Sequence, residues 1–211
     1  MKIIFLGAPG AGKGTQADRV SSMLGIPTVS TGVIIREAIK NGTDLGEKAK
    51  KFIEAGELCP DDVVIGIIKE RLEKSDCTNG FILDGFPRTV RQAEELCKMG
   101  VDLDVAVSIE VPDEVILERM TGRRVCSKCG LSYHVTENPS KDGKTCDRCH
   151  VELTQRADDA HEVVKNRLLT YHEKTEPLKE FYSKRGLLKL VDGNGSVEQT
   201  SLRTNEAIGI V

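Results

Sequence analysis

A glycine-rich loop near the start of the chain constrains the fold more than any other feature. The short, mostly apolar run at residues 2–6 is followed by GAPGAGKGT at positions 7–15 and then by a helical pattern. Backbone N–H groups in such a loop converge on a phosphate, and the positive end of the helix dipole adds to the attraction. Lys13 supplies a point charge, but Gly14 stands where the general pattern has a hydroxyl, which follows at Thr15. The strand–loop–helix order predicts a phosphate site rather than a plain glycine-rich turn.

Strands and helices alternate along most of the remaining chain. Apolar or β-branched runs predict further short strands at 28–30, 81–83, 105–111 and 187–191. This alternation is typical of a parallel sheet with helices on both faces. The long helical pattern from 160 to 185 contains Pro177, which is expected to break or kink it.

Charged residues at strand ends and in distant segments suggest further phosphate contacts. Asp84 ends the strand of FILDGFPR and could help to place Mg²⁺, although a plain turn residue is the alternative. Transfer to an acceptor that is itself a phosphate needs no general base, but it does need guanidinium groups, which bind phosphate oxygens bidentately. The candidate arginines are Arg36, Arg88, Arg123, Arg156 and Arg167. Spacing alone does not gather them into one site, and a solvated surface position is the alternative for each.

Residues 122–159 break the alternation and carry two C-x-x-C pairs. The pairs are Cys126 with Cys129 and Cys146 with Cys149, a spacing that fits a four-thiolate zinc site. Four protein ligands leave no open coordination position, so the metal would be structural and would support a segment without an apolar core. Redox-active pairs and disulfides are the alternatives.

Composition limits the classes of function. The chain has 211 residues with 30 Lys plus Arg against 33 Asp plus Glu, and this net charge of −3 lacks the basic excess of a nucleic-acid binder. No apolar run approaches the ~18 residues of a membrane span, and the N-terminus does not resemble a secretory signal. Seven cysteines without an export signal favour the cytoplasm, and Cys97 is expected to be a small buried residue of a helix.

Together these motifs resemble the adenylate kinase family, in its bacterial form with a long zinc-supported lid. The resemblance covers nearly the whole chain and is carried by GAPGAGKGT, STGVIIR, GELCPDD, DGFPRTVRQ, TGRRVC, QRADD and NRL. It implies the α/β fold of P-loop nucleoside monophosphate kinases, with a five-stranded parallel sheet flanked by helices. The implied domains are a core (1–29, 60–121 and 160–211), an AMP-binding insertion (30–59) and a lid with the zinc site (122–159). The implied reaction is reversible Mg²⁺-dependent transfer from ATP to AMP, giving two ADP, in a cytoplasmic monomer without nucleic-acid or membrane partners.

The resemblance also implies roles for individual residues. Those that would bind ATP are Gly10, Ala11, Gly12, Lys13, Gly14, Thr15, Arg123, Ser132 and Tyr133. Those that would bind AMP are Thr31, Arg36, Glu57, Leu58, Cys59, Gly85, Phe86, Pro87, Arg88, Gln92, Arg156 and Arg167, with the Gln92 amide at the adenine edge. Catalysis would depend on Lys13 and on the charged groups of Arg88, Arg123, Arg156 and Arg167. Asp84 would organise hydrated Mg²⁺, with Asp158 or Asp159 as its candidate partner.

Three places depart from the family's usual pattern. Val33 stands where Asp is common, which removes any local hydrogen bond of that Asp, and Cys59 replaces a common Val. The closing stretch SLRTNEAIGIV is less apolar than usual, so its end is expected to be frayed. Two alternatives remain open: a kinase for another nucleoside monophosphate, against which Gln92 and the Cys₄ lid argue, and a zinc-ribbon binding protein that uses ATP as a switch.

Overall fold

A computed structural model describes residues 1–210, and a five-stranded parallel sheet lies at its centre. The strands of the chain are β1 (Lys2–Leu6), β2 (Thr28–Ser30), β3 (Phe81–Asp84), β4 (Val105–Glu110), β5 (Arg123–Cys126), β6 (Ser132–His134), β7 (Leu153–Thr154) and β8 (Leu188–Asp192). The central sheet has the order β2-β3-β1-β4-β8. The parallel sheet predicted from the sequence is confirmed.

Helices cover both faces of this sheet. They are α1 (Lys13–Leu24), α2 (Thr31–Lys40), α3 (Asp44–Ala55), α4 (Asp61–Leu72), α5 (Val90–Lys98), α6 (Asp113–Gly122), α7 (His161–Thr170), α8 (Pro177–Ser183) and α9 (Val197–Ile208), with short 3₁₀ turns at Ser75–Cys77 and Ala157–Asp159. The three inner strands β3, β1 and β4 are mostly apolar because both of their faces are buried, as in β1, where Ile3, Ile4 and Phe5 are almost fully inaccessible. One core cluster packs on each side of the sheet.

One segment departs from regular α-helix near the C-terminal end. A π-helical turn at Tyr171–Thr175 separates α7 from α8, and Pro177 takes the first position of α8, where its missing N–H costs little. The frayed end expected from the sequence stays a prediction, although the described part of the last helix is regular. A capping box at Ser196 starts α9, buried Ile208 ends it, and Gly209 closes it in a left-handed conformation. Val211 lies outside the described residues.

Two smaller units project from the core. Helices α2 and α3 form a tight hairpin, in which a Cβ added to Gly46 would lie 2.2 Å from the carbonyl oxygen of Ala38. The cysteine-containing segment forms a separate antiparallel sheet of order β6-β5-β7. Within residues 1–210, no helix combines the length and the apolar character that crossing a bilayer requires.

Candidate active site

The phosphate loop lies between β1 and α1, at the carboxyl edge of the sheet. Gly7 has a φ of +136°, and a Cβ there would lie 2.5 Å from the carbonyl oxygen of Ile109 on β4, so only glycine fits. Gly12 takes a left-handed conformation directly before α1, and no side chain caps this helix. The backbone N–H groups of its first turn are therefore available to an anion.

Lys13 is folded back over this loop. Its Nζ donates hydrogen bonds to the carbonyl oxygens of Gly7 at 2.7 Å and Ala8 at 2.8 Å. Burial lowers the pKa of Lys13 to about 8, although the charge of Asp84 opposes this effect. A phosphate beside the amine would favour its charged form and raise this pKa again.

Asp84 ends β3 beside the loop. It is in register with Phe5 of β1, and it accepts a hydrogen bond of 3.1 Å from Ser30 Oγ at the end of β2. A Cβ added to Gly14 would lie 3.7 Å from Oδ2 of Asp84, so the Asp84 carboxylate faces the first turn of α1. An oxygen ligand next to a phosphate site fits a hydrated Mg²⁺ ion.

The five arginines predicted from distant segments are close enough to act on one another electrostatically. Burial is the main cause that lowers the pKa of Arg156 to about 9, and repulsion by Arg123 and Arg36 adds to it. Burial also lowers the pKa of Arg167 to about 10, with repulsion by Arg123 and Arg88. The structure therefore gathers guanidinium groups that the sequence spacing left apart.

Three carboxylates only partly balance this charge. Asp159 pairs with Arg123, whose Nε lies 2.8 Å from Oδ2, and Asp158 pairs with Arg167 at 2.9 Å. Asp84 is the third. Against them stand the five arginines and Lys13, so six cations face three acids. A chain with a total charge of −3 therefore holds a local positive excess suited to phosphates.

One cavity lies on the acceptor side of this charge cluster. Ten of the residues to which the family resemblance gives an AMP-binding role line this cavity. They are Thr31, Arg36, Glu57, Leu58, Cys59, Gly85, Pro87, Arg88, Gln92 and Arg167. Lys13 lines the same cavity. Phe86 and Arg156 do not line it, and Phe86 is fully buried in the core.

A second cavity lies on the opposite side of the phosphate loop. Seven of the residues to which the family resemblance gives an ATP-binding role line this cavity. They are Gly10, Ala11, Gly12, Thr15, Arg123, Ser132 and Tyr133. The Tyr133 side chain is itself buried, and its hydroxyl lies 3.5 Å from Cys146 Sγ. The phosphate loop thus lies between two cavities, each lined by most of one predicted residue set. Of the ATP set, Lys13 lines the acceptor cavity instead and Gly14 lines neither.

The four paired cysteines form one cluster. Their sulfur atoms all lie within 4.8 Å of one another. Each pair sits on a tight turn: Gly130 N–H donates to Cys126 O at 2.9 Å, and His150 N–H donates to Cys146 O at 2.8 Å. Gly130 and His150 both take positive φ values, so the two turns match in backbone geometry. Four thiols gathered in this way fit a tetrahedral zinc ion.

Comparisons with known proteins agree with this geometry. The family model described as adenylate kinase matches residues 5–187. The chain belongs to the adenylate kinase family. An adenylate kinase from Ruminiclostridium cellulolyticum is 55% identical, with all of both chains covered. An adenylate kinase from Caldicellulosiruptor saccharolyticus is 52% identical, with all of both chains covered. One from Acetivibrio thermocellus is also 52% identical, over 99% of this chain and 98% of its own.

As a member of the adenylate kinase family, the chain is a nucleoside monophosphate kinase. Its second cavity is also lined by residues that no sequence motif marks. Arg119 lines it and donates to the carbonyl oxygens of Gly193 at 3.1 Å and Gly195 at 3.2 Å, so α6 is tied to the loop before α9. Gln16, which is 2% exposed, donates to Val197 O at 3.2 Å, while its Oε1 has no partner among the described residues. No motif marks these positions, because they meet only through the fold.

The three remaining cysteines have different environments. Cys59 and Cys77 are buried in the core, and Cys59 also lines the acceptor cavity. The expectation that Cys97 is buried is wrong, since this residue is exposed. Ala93 and Leu96 define the buried face of α5, and a step of about 100° per residue turns Cys97 away from it.

Proposed function

We propose that this kinase transfers the γ-phosphoryl group of Mg²⁺-bound ATP to AMP, in a reversible reaction that gives two ADP. The observation that carries the proposal is the position of six cationic side chains near a phosphate loop that separates two cavities. A donor nucleotide in one cavity and an acceptor in the other would bring their phosphates together at these charges. Positioning and charge neutralisation are what phosphoryl transfer requires.

Each group of residues has a task in this proposal. The backbone of Gly10–Thr15 would bind the donor phosphates, with Ser132 and Tyr133 near the donor base. Lys13 and Arg123 would neutralise charge on the transferred group, while Arg88, Arg156 and Arg167 would hold the acceptor and transferred phosphates. No general base is needed, because the AMP phosphate is already ionised at neutral pH.

The acceptor residues would fix AMP in the first cavity. Thr31 and Arg36 line the α2 side of this cavity, and residues 57–59, Gly85 and Pro87 line it as well. Gln92, which also lines it, would face the base. Asp84 would hold hydrated Mg²⁺, which neutralises charge on the ATP phosphates. Closure of the lid would exclude water, so that transfer is faster than hydrolysis.

The domain boundaries belong to the same proposal. Residues 1–29, 60–121 and 160–211 would form the core, 30–59 the AMP-binding insertion and 122–159 the lid, with one structural Zn²⁺ bound by its four cysteines. We also propose that the chain acts as a monomer in the cytoplasm. The two C-x-x-C pairs gather their four sulfur atoms in one cluster, as a thiolate metal site in a reducing compartment would.

An acceptor-specificity assay tests the reaction. Purified enzyme is incubated with MgATP and AMP, GMP, UMP or CMP in turn, and ADP formation is followed. We expect a clear preference for AMP. Preference for another acceptor would replace AMP by that nucleotide, and tight nucleic-acid binding without any phosphoryl transfer would favour a zinc-ribbon binding protein instead.

A further inference from the structure

Asp61, in the first turn of α4, holds the side chain that we expect to read the acceptor base. Its carboxylate accepts hydrogen bonds from Gln92 Nε2 at 2.7 Å and from Thr89 Oγ1 at 3.1 Å and 3.2 Å. Gln92 lines the acceptor cavity and is only 1% exposed. Asp61 lies behind it, outside the cavity wall, so it can act on a nucleotide only through Gln92.

The Gln92 amide is oriented by two groups whose hydrogen-bonding roles differ. The carboxylate oxygens of Asp61 accept hydrogen bonds, so they face the NH₂ end of the amide. The backbone N–H of Arg88 only donates, and it lies 2.7 Å from Gln92 Oε1. Both contacts require the same orientation, with Nε2 toward α4 and Oε1 toward the turn at Arg88. A flipped amide would face a mismatched partner at each end.

Thr89 connects this arrangement to the start of α5. Its hydroxyl oxygen accepts the backbone N–H of Gln92 at 3.2 Å, which caps the helix, and the same hydroxyl donates to Asp61. Asp61 and the Arg88 N–H therefore hold the side chain of Gln92, and Thr89, itself bonded to Asp61, holds its backbone. Such a network fixes the orientation of Gln92 more firmly than one contact would.

A fixed amide can distinguish purine bases. Asp61 uses one hydrogen of Nε2 and Arg88 uses one lone pair of Oε1, which leaves one donor and one acceptor. Adenine presents an acceptor at N1 beside a donor amino group, whereas hypoxanthine presents an N1–H donor beside a carbonyl oxygen. Hypoxanthine would therefore need the two ends of the amide exchanged, which is the rotation that Asp61 opposes.

We propose that Asp61 is a specificity-determining positioning residue, which orients the Gln92 amide for adenine and against 6-oxopurines. The inference deepens the proposed ATP:AMP reaction and rests on it. A merely structural role would predict equal losses with every acceptor. A positioning role predicts a change in the preference between acceptors.

The test compares two isosteric substitutions in one helix turn. Asp61→Asn introduces an amide that can also donate, so that a flipped Gln92 keeps a partner. Asp62→Asn is the matched control, because it removes the same charge from the same turn, but the Asp62 side chain is 79% exposed and pairs with Arg91. Initial rates are measured with MgATP and either AMP or IMP, and the melting temperature of each variant is recorded.

We expect Asp61→Asn to raise KM for AMP and to lower the kcat/KM preference for AMP over IMP about tenfold, with kcat for AMP nearly unchanged. Asp62→Asn should retain the wild-type preference and KM. An unchanged preference in Asp61→Asn, or equal losses with both acceptors, would overturn the assignment while the proposed function stands. A wild-type enzyme that does not prefer AMP would instead overturn the proposed function itself.

Discussion

The amine of Lys13 is buried against its own loop, where carbonyl oxygens and Asp84 offer only partial compensation for its charge. Its pKa is about 8 in the folded chain against 10.5 as the ordinary value. The folded chain therefore binds fewer protons than the unfolded chain between these pH values. Burial of Lys13 destabilises the fold fully below pH 8, and this cost decreases as the pH rises toward 10.5. A bound polyphosphate reverses the preference, because it attracts the ammonium form.

ATP affinity should therefore depend on pH through Lys13. We expect Kd for ATP to be nearly constant below pH 8 and to rise about tenfold per pH unit above it, because the free enzyme must take up a proton to bind. Calorimetric titrations between pH 7 and 9.5 would measure this slope. Lys13→Arg is the control, since a guanidinium stays charged over this range. The same slope in both enzymes would contradict the role given to Lys13.

Arg88 offers a second test at the scale of one residue. Its Nε donates to Gly85 O at 2.8 Å, and its side chain lines the acceptor cavity. Arg88→Ala should reduce kcat by about two orders of magnitude or more, because it removes a charge placed at the transferred phosphates, while the fold stays intact. Arg91→Ala is the control, since Arg91 is exposed three residues away on α5. Near-normal turnover in Arg88→Ala would refute its role.

Elements whose signals are local could be predicted from the sequence. The phosphate loop joins a strand and a helix that are adjacent in the chain, and each cysteine pair occupies one turn. The contacts of Arg119 with Gly193 and Gly195 cross more than seventy residues, so no local pattern encodes them. The same reason hides Asp61, whose contact with Gln92 depends on the packing of α4 against α5.

The lid offers a test at the scale of one element. Cys149→Ser should abolish binding of the expected one zinc per chain and lower the melting temperature, because this segment has only a small apolar cluster around its cysteines. Residual kinase activity should remain, since the metal is structural. Metal analysis and thermal denaturation would follow both effects, with Cys97→Ser as the control for an exposed cysteine. Lost activity with unchanged stability and metal content would contradict a structural role.

In the whole molecule, the core, the α2–α3 hairpin and the cysteine-containing segment meet around one excess of positive charge. Asn166 Nδ2 of α7 donates a hydrogen bond to the carbonyl oxygen of Ala55 at the end of α3. Lys40 Nζ of α2 lies 3.5 Å from the carbonyl oxygen of Ser127 in the cysteine-containing segment. The charge cluster lies among these parts, and its arginines come from α2, the segment after β3, β5, the segment after β7 and α7. The free protein thus holds together cations whose mutual repulsion its carboxylates relieve only in part, and a bound anion would relieve the rest.

Substitution of Arg156 should show how much this repulsion between arginines lowers the stability of the free protein. Within residues 1–210 no carboxylate forms an ion pair with it, and both burial and repulsion by Arg123 and Arg36 lower its pKa to about 9. Arg156→Gln should therefore stabilise the free protein by about 1 kcal/mol, a rise of ~2–4 °C in melting temperature, while it reduces kcat strongly. ADP should stabilise the wild type more than the variant, because ligand stabilisation follows affinity. The control is Arg91→Gln at the surface, which should change neither the melting temperature nor kcat. If the free Arg156→Gln protein is less stable than the wild type, Arg156 stabilises the fold and the prediction is wrong.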